Sequence, residues 1–84
     1  MKIILEIEGE PWELDLTRVH TVNDLSFGDE VIVSNYKLFY LQQGKVVGVF
    51  DDYITVEFDH GEEGVEWVKI TGKSLYRRVY KINE

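Results

Sequence analysis

Hydrophobic and polar residues alternate with a period of two along most of this chain. Ile3, Leu5 and Ile7 alternate with Ile4, Glu6 and Glu8; Trp12, Leu14 and Leu16 alternate with Glu13, Asp15 and Thr17. Successive side chains of a strand point to opposite faces, so each run reads as a strand with one apolar face. Gly9-Glu10-Pro11 lies between them and predicts a β-hairpin over residues 2–18. His20 to Ser26 reads as a connector, with Asn23-Asp24 as its turn signal. Phe27-Gly28-Asp29 then leads into a strand, Glu30 to Ser34, that turns Val31 and Val33 to one side. Asn35-Tyr36-Lys37 reads as a loop. Leu38 to Leu41 reads as a short strand or a packed loop segment, ended by Gln42-Gln43-Gly44.

Lys45 to Phe50 and Tyr53 to Phe58 are rich in β-branched and aromatic residues. They flank Asp51-Asp52, which suits a tight hairpin. Gly48 sits inside the first of these strands, where a glycine marks a bend or a bulge. Asp59 to Gly64 is a second turn, Val65 to Ile70 a further strand, and Thr71-Gly72-Lys73 a third turn. Leu75 to Ile82 predicts a final strand with Tyr76, Arg78, Tyr80 and Ile82 on one face, a short helix being the alternative. Several short strands separated by turns at about ten-residue spacing are the mark of an all-β barrel or sandwich.

Composition narrows the picture. Eighty-four residues are expected to form one domain, residues 1–84, and 44% apolar residues suffice for one core. There is no cysteine, which excludes disulfides and thiolate metal sites and fits a cytoplasmic setting. Glu6 and Glu8 interrupt the N-terminal apolar run, so neither a secretory signal nor a membrane span is expected. The net charge of −7 is unevenly spread. Residues 51–66 carry seven acids and no lysine or arginine. Residues 67–84 carry Lys69, Lys73, Arg77, Arg78 and Lys81 against Glu84. The acidic bulk argues against general phosphate-backbone binding, with the basic C-terminal stretch as a local exception.

The stretch FGDEVIV, followed by GKVVGVFDDYITVEFDHG, resembles the Src-homology-3-like barrel superfold in its KOW-like and Tudor-like forms. The later ITGKSLYRRVYK is similar to small phage- and prophage-encoded proteins. The resemblance covers about residues 27–80 and implies a five-stranded barrel over residues 27–82. The hairpin of residues 1–19 is an addition to it. It implies no activity, because one superfold hosts many functions.

Candidate chemistry is sparse. Asp51, Asp52, Asp59, Glu62 and Glu63 match no calcium loop in spacing, and a solvated acidic surface is the simpler reading. The same acids also suit an imitation of nucleic-acid phosphates. His20 and His60 lie forty residues apart, with no ligand pattern around either. No nucleophile–base pattern is present, so no enzymatic activity and no cofactor are expected. The eleven aromatic residues exceed what a small barrel buries, so some are expected at the surface, where tyrosine and tryptophan anchor partners. The expected protein-binding residues are Tyr36, Phe39, Tyr40 and Tyr53. Lys73, Arg77, Arg78 and Lys81, interleaved with Tyr76 and Tyr80, offer an alternative nucleic-acid surface. They also suit pairing with the acidic residues 51–66 of the same or a neighbouring molecule. The function expected is therefore a small protein-binding module, phage- or mobile-element-encoded and acting on a host protein, with self-association as a homodimer.

Overall fold

The computed structural model of the chain describes residues 1–7, 9–35 and 40–83. Seven strands form one antiparallel sheet: β1 (Lys2–Ile7), β2 (Glu10–Arg18), β3 (Glu30–Asn35), β4 (Tyr40–Val49), β5 (Tyr53–Asp59), β6 (Val65–Thr71) and β7 (Val79–Asn83). Among the described residues one α-helix, α1 (Gly72–Arg78), joins β6 to β7. The order across the sheet is β1-β2-β7-β3-β4-β5-β6. The all-β class read from the alternation is therefore the class observed.

Two apolar clusters lie on opposite faces of this sheet. The larger gathers Val31 and Val33 of β3, Val46 of β4, Ile54, Val56 and Phe58 of β5, Ile70 of β6 and Val79 of β7. Leu75 of α1 and Val19, Val22 and Leu25 of the connector complete it. Side chains from five strands can converge on one cluster only if the sheet curls around it. The smaller cluster holds Leu16, Ile32 and Ile82, with Ile3, Leu14 and Tyr80 packed against it. Alternate residues of β3 thus enter different clusters, and this strand is buried on both faces. The sheet curls without closing: among the described residues β1 pairs only with β2, and β6 only with β5. The barrel expected over residues 27–82 is a curled, barrel-like sheet that is not closed and runs unbroken into the N-terminal hairpin.

Local chemistry explains most boundaries. Pro11 sits opposite Glu6. Met1 and Leu16 exchange backbone bonds at the far end of the same ladder. The alternation of an antiparallel ladder then places Pro11 at a non-hydrogen-bonded position, where its missing N–H costs nothing. Of the two places open to a proline that cannot donate to a ladder, the turn or the strand start, Pro11 takes the strand start, because β2 begins at Glu10. β4 runs straight through Gln42-Gln43-Gly44, because Gly44 lies against Val56 and Phe58 and continues the pairing with β3. The bulge expected at Gly48 is present, between Val46 and Gly48. The Asp51-Asp52 hairpin is closed by Phe50 N–H on the Tyr53 carbonyl at 2.9 Å.

The last segment departs from the expectation. Residues 75–82 do not form one strand: α1 ends at Arg78 and β7 begins at Val79. No residue of Lys73–Arg78 is β-branched, and Val79 is. A seven-residue helix has little stability of its own; burial of Leu75 in the main cluster holds it.

Candidate functional site

The β5–β6 hairpin has one face turned inward and one turned outward. Its even-numbered residues Ile54, Val56, Phe58, Val68 and Ile70 pack inward. Its odd-numbered residues form cross-strand pairs on the other face: Tyr53 opposite Thr71, Thr55 opposite Lys69, Glu57 opposite Trp67, and Asp59 opposite Val65. Trp67 is 67% exposed, Val65 57% and Phe50 47%, values far above those of core residues. The Phe50 ring stacks on Tyr53 with centroids 4.5 Å apart and an interplanar angle of 20°. Gly48 makes this possible, since a Cβ there would lie 2.8 Å from Phe50 Cε2. Lys69 Nζ stands 4.3 Å from the Tyr53 ring centroid, in cation–π range. Trp67 Nε1–H donates to Glu57 Oε2 at 2.8 Å, which fixes the indole with its apolar surface in solvent. Phe50, Tyr53, Lys69 and Trp67 thus form an ordered, exposed aromatic and cationic strip.

Of the residues expected to bind protein, Tyr53 belongs to this strip. Tyr36 and Phe39 lie outside the described residues. Tyr40 is the first residue of β4, a strand position and not the tip of a loop. Sequence reading did not single out Phe50 or Trp67. The signal was present in Val65-Glu66-Trp67-Val68-Lys69-Ile70, where apolar residues occur at both parities. A strand covered on one side needs only one parity; the second marks another contact surface.

The basic set is dispersed. Lys73 and Arg77 are exposed on α1. Arg78 Nε donates to the Ser34 carbonyl at 3.4 Å, and Lys81 of β7 pairs with Asp29 at 3.6 Å. The tyrosines between them are occupied as well. The Arg18 guanidinium lies 4.7 Å from both the Tyr76 and the Tyr80 ring centroids, and it donates to the Tyr76 carbonyl and the Tyr80 hydroxyl. His20 packs on Tyr76 at 4.9 Å between ring centroids. His60 meets Glu66 at 3.2 Å.

Among the described residues, no lysine or arginine of residues 67–83 pairs with an acid of residues 51–66. Nor does any group of three or more His, Asp or Glu stand where it would hold a metal ion. No described helix is long and apolar enough to cross a membrane. Asp24 accepts the His20 and Thr21 backbone N–H groups at 2.9 and 3.2 Å. These bonds hold its carboxyl below the usual aspartate range. It fixes the connector between β2 and β3 and lies apart from the aromatic strip. Among protein-family models, curated proteins and solved structures, none matches this chain.

Proposed function

We propose that this chain is a small, non-catalytic protein-binding module that takes its partner on the Phe50, Tyr53 and Trp67 strip. The observation that carries the reading is the stacking of Phe50 on Tyr53 beside an exposed, hydrogen-bonded Trp67. Rings already held in place lose little conformational freedom on binding, so their burial appears almost fully as affinity. Aromatic residues of this kind dominate measured interface energies. The strand order β7-β3-β4-β5-β6, with a helical turn before β7, supports a barrel-like module of Src-homology-3-like type. The resemblance to phage- and prophage-encoded proteins supports a host protein as the partner. Self-association as a homodimer belongs to the same reading.

The test is affinity capture from host lysate with the wild-type chain and with the Phe50→Ala and Trp67→Ala variants. A partner retained by the wild type and lost by both folded variants is the expected result. Nucleic acid is the competing ligand. Affinity for DNA or RNA near micromolar at physiological salt, with a steep salt slope, would replace this reading with one built on Lys73 and Arg77.

A further inference from the structure

Among the described residues β6 is an edge strand with no partner on its outer side, and the ladder shows which residues line that edge. Gly72 N–H donates to the Asp52 carbonyl at 2.8 Å, and His60 N–H to the Gly64 carbonyl at 2.8 Å, at the two ends of the β5–β6 pairing. Hydrogen-bonded pairs alternate in an antiparallel ladder, so Ile70, Val68 and Glu66 turn their backbone groups to β5. Val65, Trp67, Lys69 and Thr71 turn theirs to the open edge. The other edge strand, β1, presents Lys2, Ile4 and Glu6 by the same reasoning, and charged residues there discourage pairing. On β6 the corresponding positions include Val65 and Trp67, and Lys69 lies over its own Tyr53 ring.

We infer that β6 is a homodimer interface, in which two copies pair their β6 strands antiparallel about a twofold axis at Val68. This deepens the protein-binding reading by naming a second copy as one partner and the edge as its seat. The register follows from the outward-facing residues. Val65 meets Thr71 of the second copy, and Trp67 meets Lys69. Both are hydrogen-bonded pairs and both occur twice, giving about eight backbone bonds. The exposed Trp67 indole then lies beside a second lysine, a cation–π pairing across the axis.

Charge selects the same arrangement. The acids Glu62, Glu63 and Glu66 stand at the start of β6, and Lys73 and Arg77 follow its end. Antiparallel pairing brings each acidic end to a basic end, with Glu63 level with Lys73 of the second copy. A parallel pairing would set like charges side by side.

Light scattering and sedimentation across concentration test this. The wild type should pass from 9.9 kDa to twice that mass as concentration rises. Lys69→Pro removes an N–H that no strand of the single copy uses, and it should raise the dimer dissociation constant at least tenfold while the circular dichroism spectrum persists. Glu63→Lys and Lys73→Glu should each weaken the dimer, and the double reversal should restore it. The charge pair keeps the test decisive if the proline variant does not fold. A wild-type mass of 9.9 kDa at every concentration overturns the proposal. So does a dimer indifferent to all of these changes. Phe50 lies outside β6, so capture lost in Phe50→Ala reads the partner strip alone, and the two readings fail separately.

Discussion

Gly44 is the position where a single added methyl group says most about this fold. An added Cβ would fall 2.5 Å from Val56 Cγ1 and 2.9 Å from Phe58 Cε1. Carbon atoms in good contact sit about 3.5–4.0 Å apart, so something must move by about an ångström. Val56 is fully buried and Phe58 nearly so, and neither has solvent to move into. The φ of Gly44 is not positive, so alanine meets no backbone strain there and the clash is isolated. Overpacking of a core costs about 1–3 kcal/mol. Replacing glycine by alanine returns about 0.4–1 kcal/mol through the unfolded chain. The net expectation for Gly44→Ala is a loss of about 1–2 kcal/mol, and a melting temperature lower by about 4–16 °C for a domain of this size. Gly48 is the control. Its added Cβ would lie 2.8 Å from Phe50 Cε2, but Phe50 is half exposed and its ring can swing outward. Gly48→Ala should therefore stay within about 0.5 kcal/mol of wild type. Thermal and urea unfolding, followed by circular dichroism, measures all of these variants. Val56→Ala makes room for the new methyl, so the Gly44→Ala/Val56→Ala pair should be less destabilised than the sum of the two by about 1 kcal/mol. Equal stabilities for the two glycine variants, or strict additivity in the pair, would refute the packing argument.

Leu75→Ala should cost about 2–5 kcal/mol, because Leu75 is fully buried and holds α1 to the core; chemical denaturation reads the loss directly. Asp24 is held below its ordinary pKa by the His20 and Thr21 N–H groups, so its contribution to stability is complete above the unfolded-state value. That contribution disappears as pH falls through the folded-state value. Melting curves from pH 7 to pH 2 should show Asp24→Asn with a weaker acid dependence than wild type. Trp67→Ala removes an exposed indole and its bond to Glu57. It should change stability by about 0.5 kcal/mol or less while abolishing partner capture, and a large loss of stability would argue that Trp67 is structural.

The legible parts of this chain were those where one periodicity acts alone. β1, β2 and β5 follow a period of two, and turn residues bound several of them. Gly48 announced its bulge because a glycine among β-branched residues marks a bend or a bulge. Two features were hidden. Glycine in Gln42-Gln43-Gly44 resembles punctuation, yet Gly44 is required by the close approach of Val56 and Phe58 from β5. That demand is made by a strand more than ten residues away. Leu75 to Ile82 also satisfies a strand pattern, and its first part is helical because burying Leu75 in the main cluster holds the turn that carries the chain from β6 round to the flank of β3. The aromatic strip was half visible. Tyr53 was singled out by residue type, whereas Phe50 and Trp67 join it through a glycine-permitted stack and a cross-strand bond to Glu57.

The position of β7 between β2 and β3 governs the order in which the molecule can assemble. Asp15 pairs with Asn83, and Val31 with Lys81, so among the described residues the backbone ladder that joins the first hairpin to the β3–β6 meander is made of residues translated after all of them. A nascent chain that has emerged only to α1 holds two unconnected pieces. A lone two-stranded hairpin is marginally stable in water. The meander at that stage has an open flank at β3, with Val31, Ile32 and Val33 deprived of their neighbour. Contacts of this sequence separation are late and slow to form. Emergence of β7, more than of any earlier strand, should therefore set when this sheet completes. Prematurely terminated fragments, with a bare apolar strand edge, should fall to chaperones and proteases.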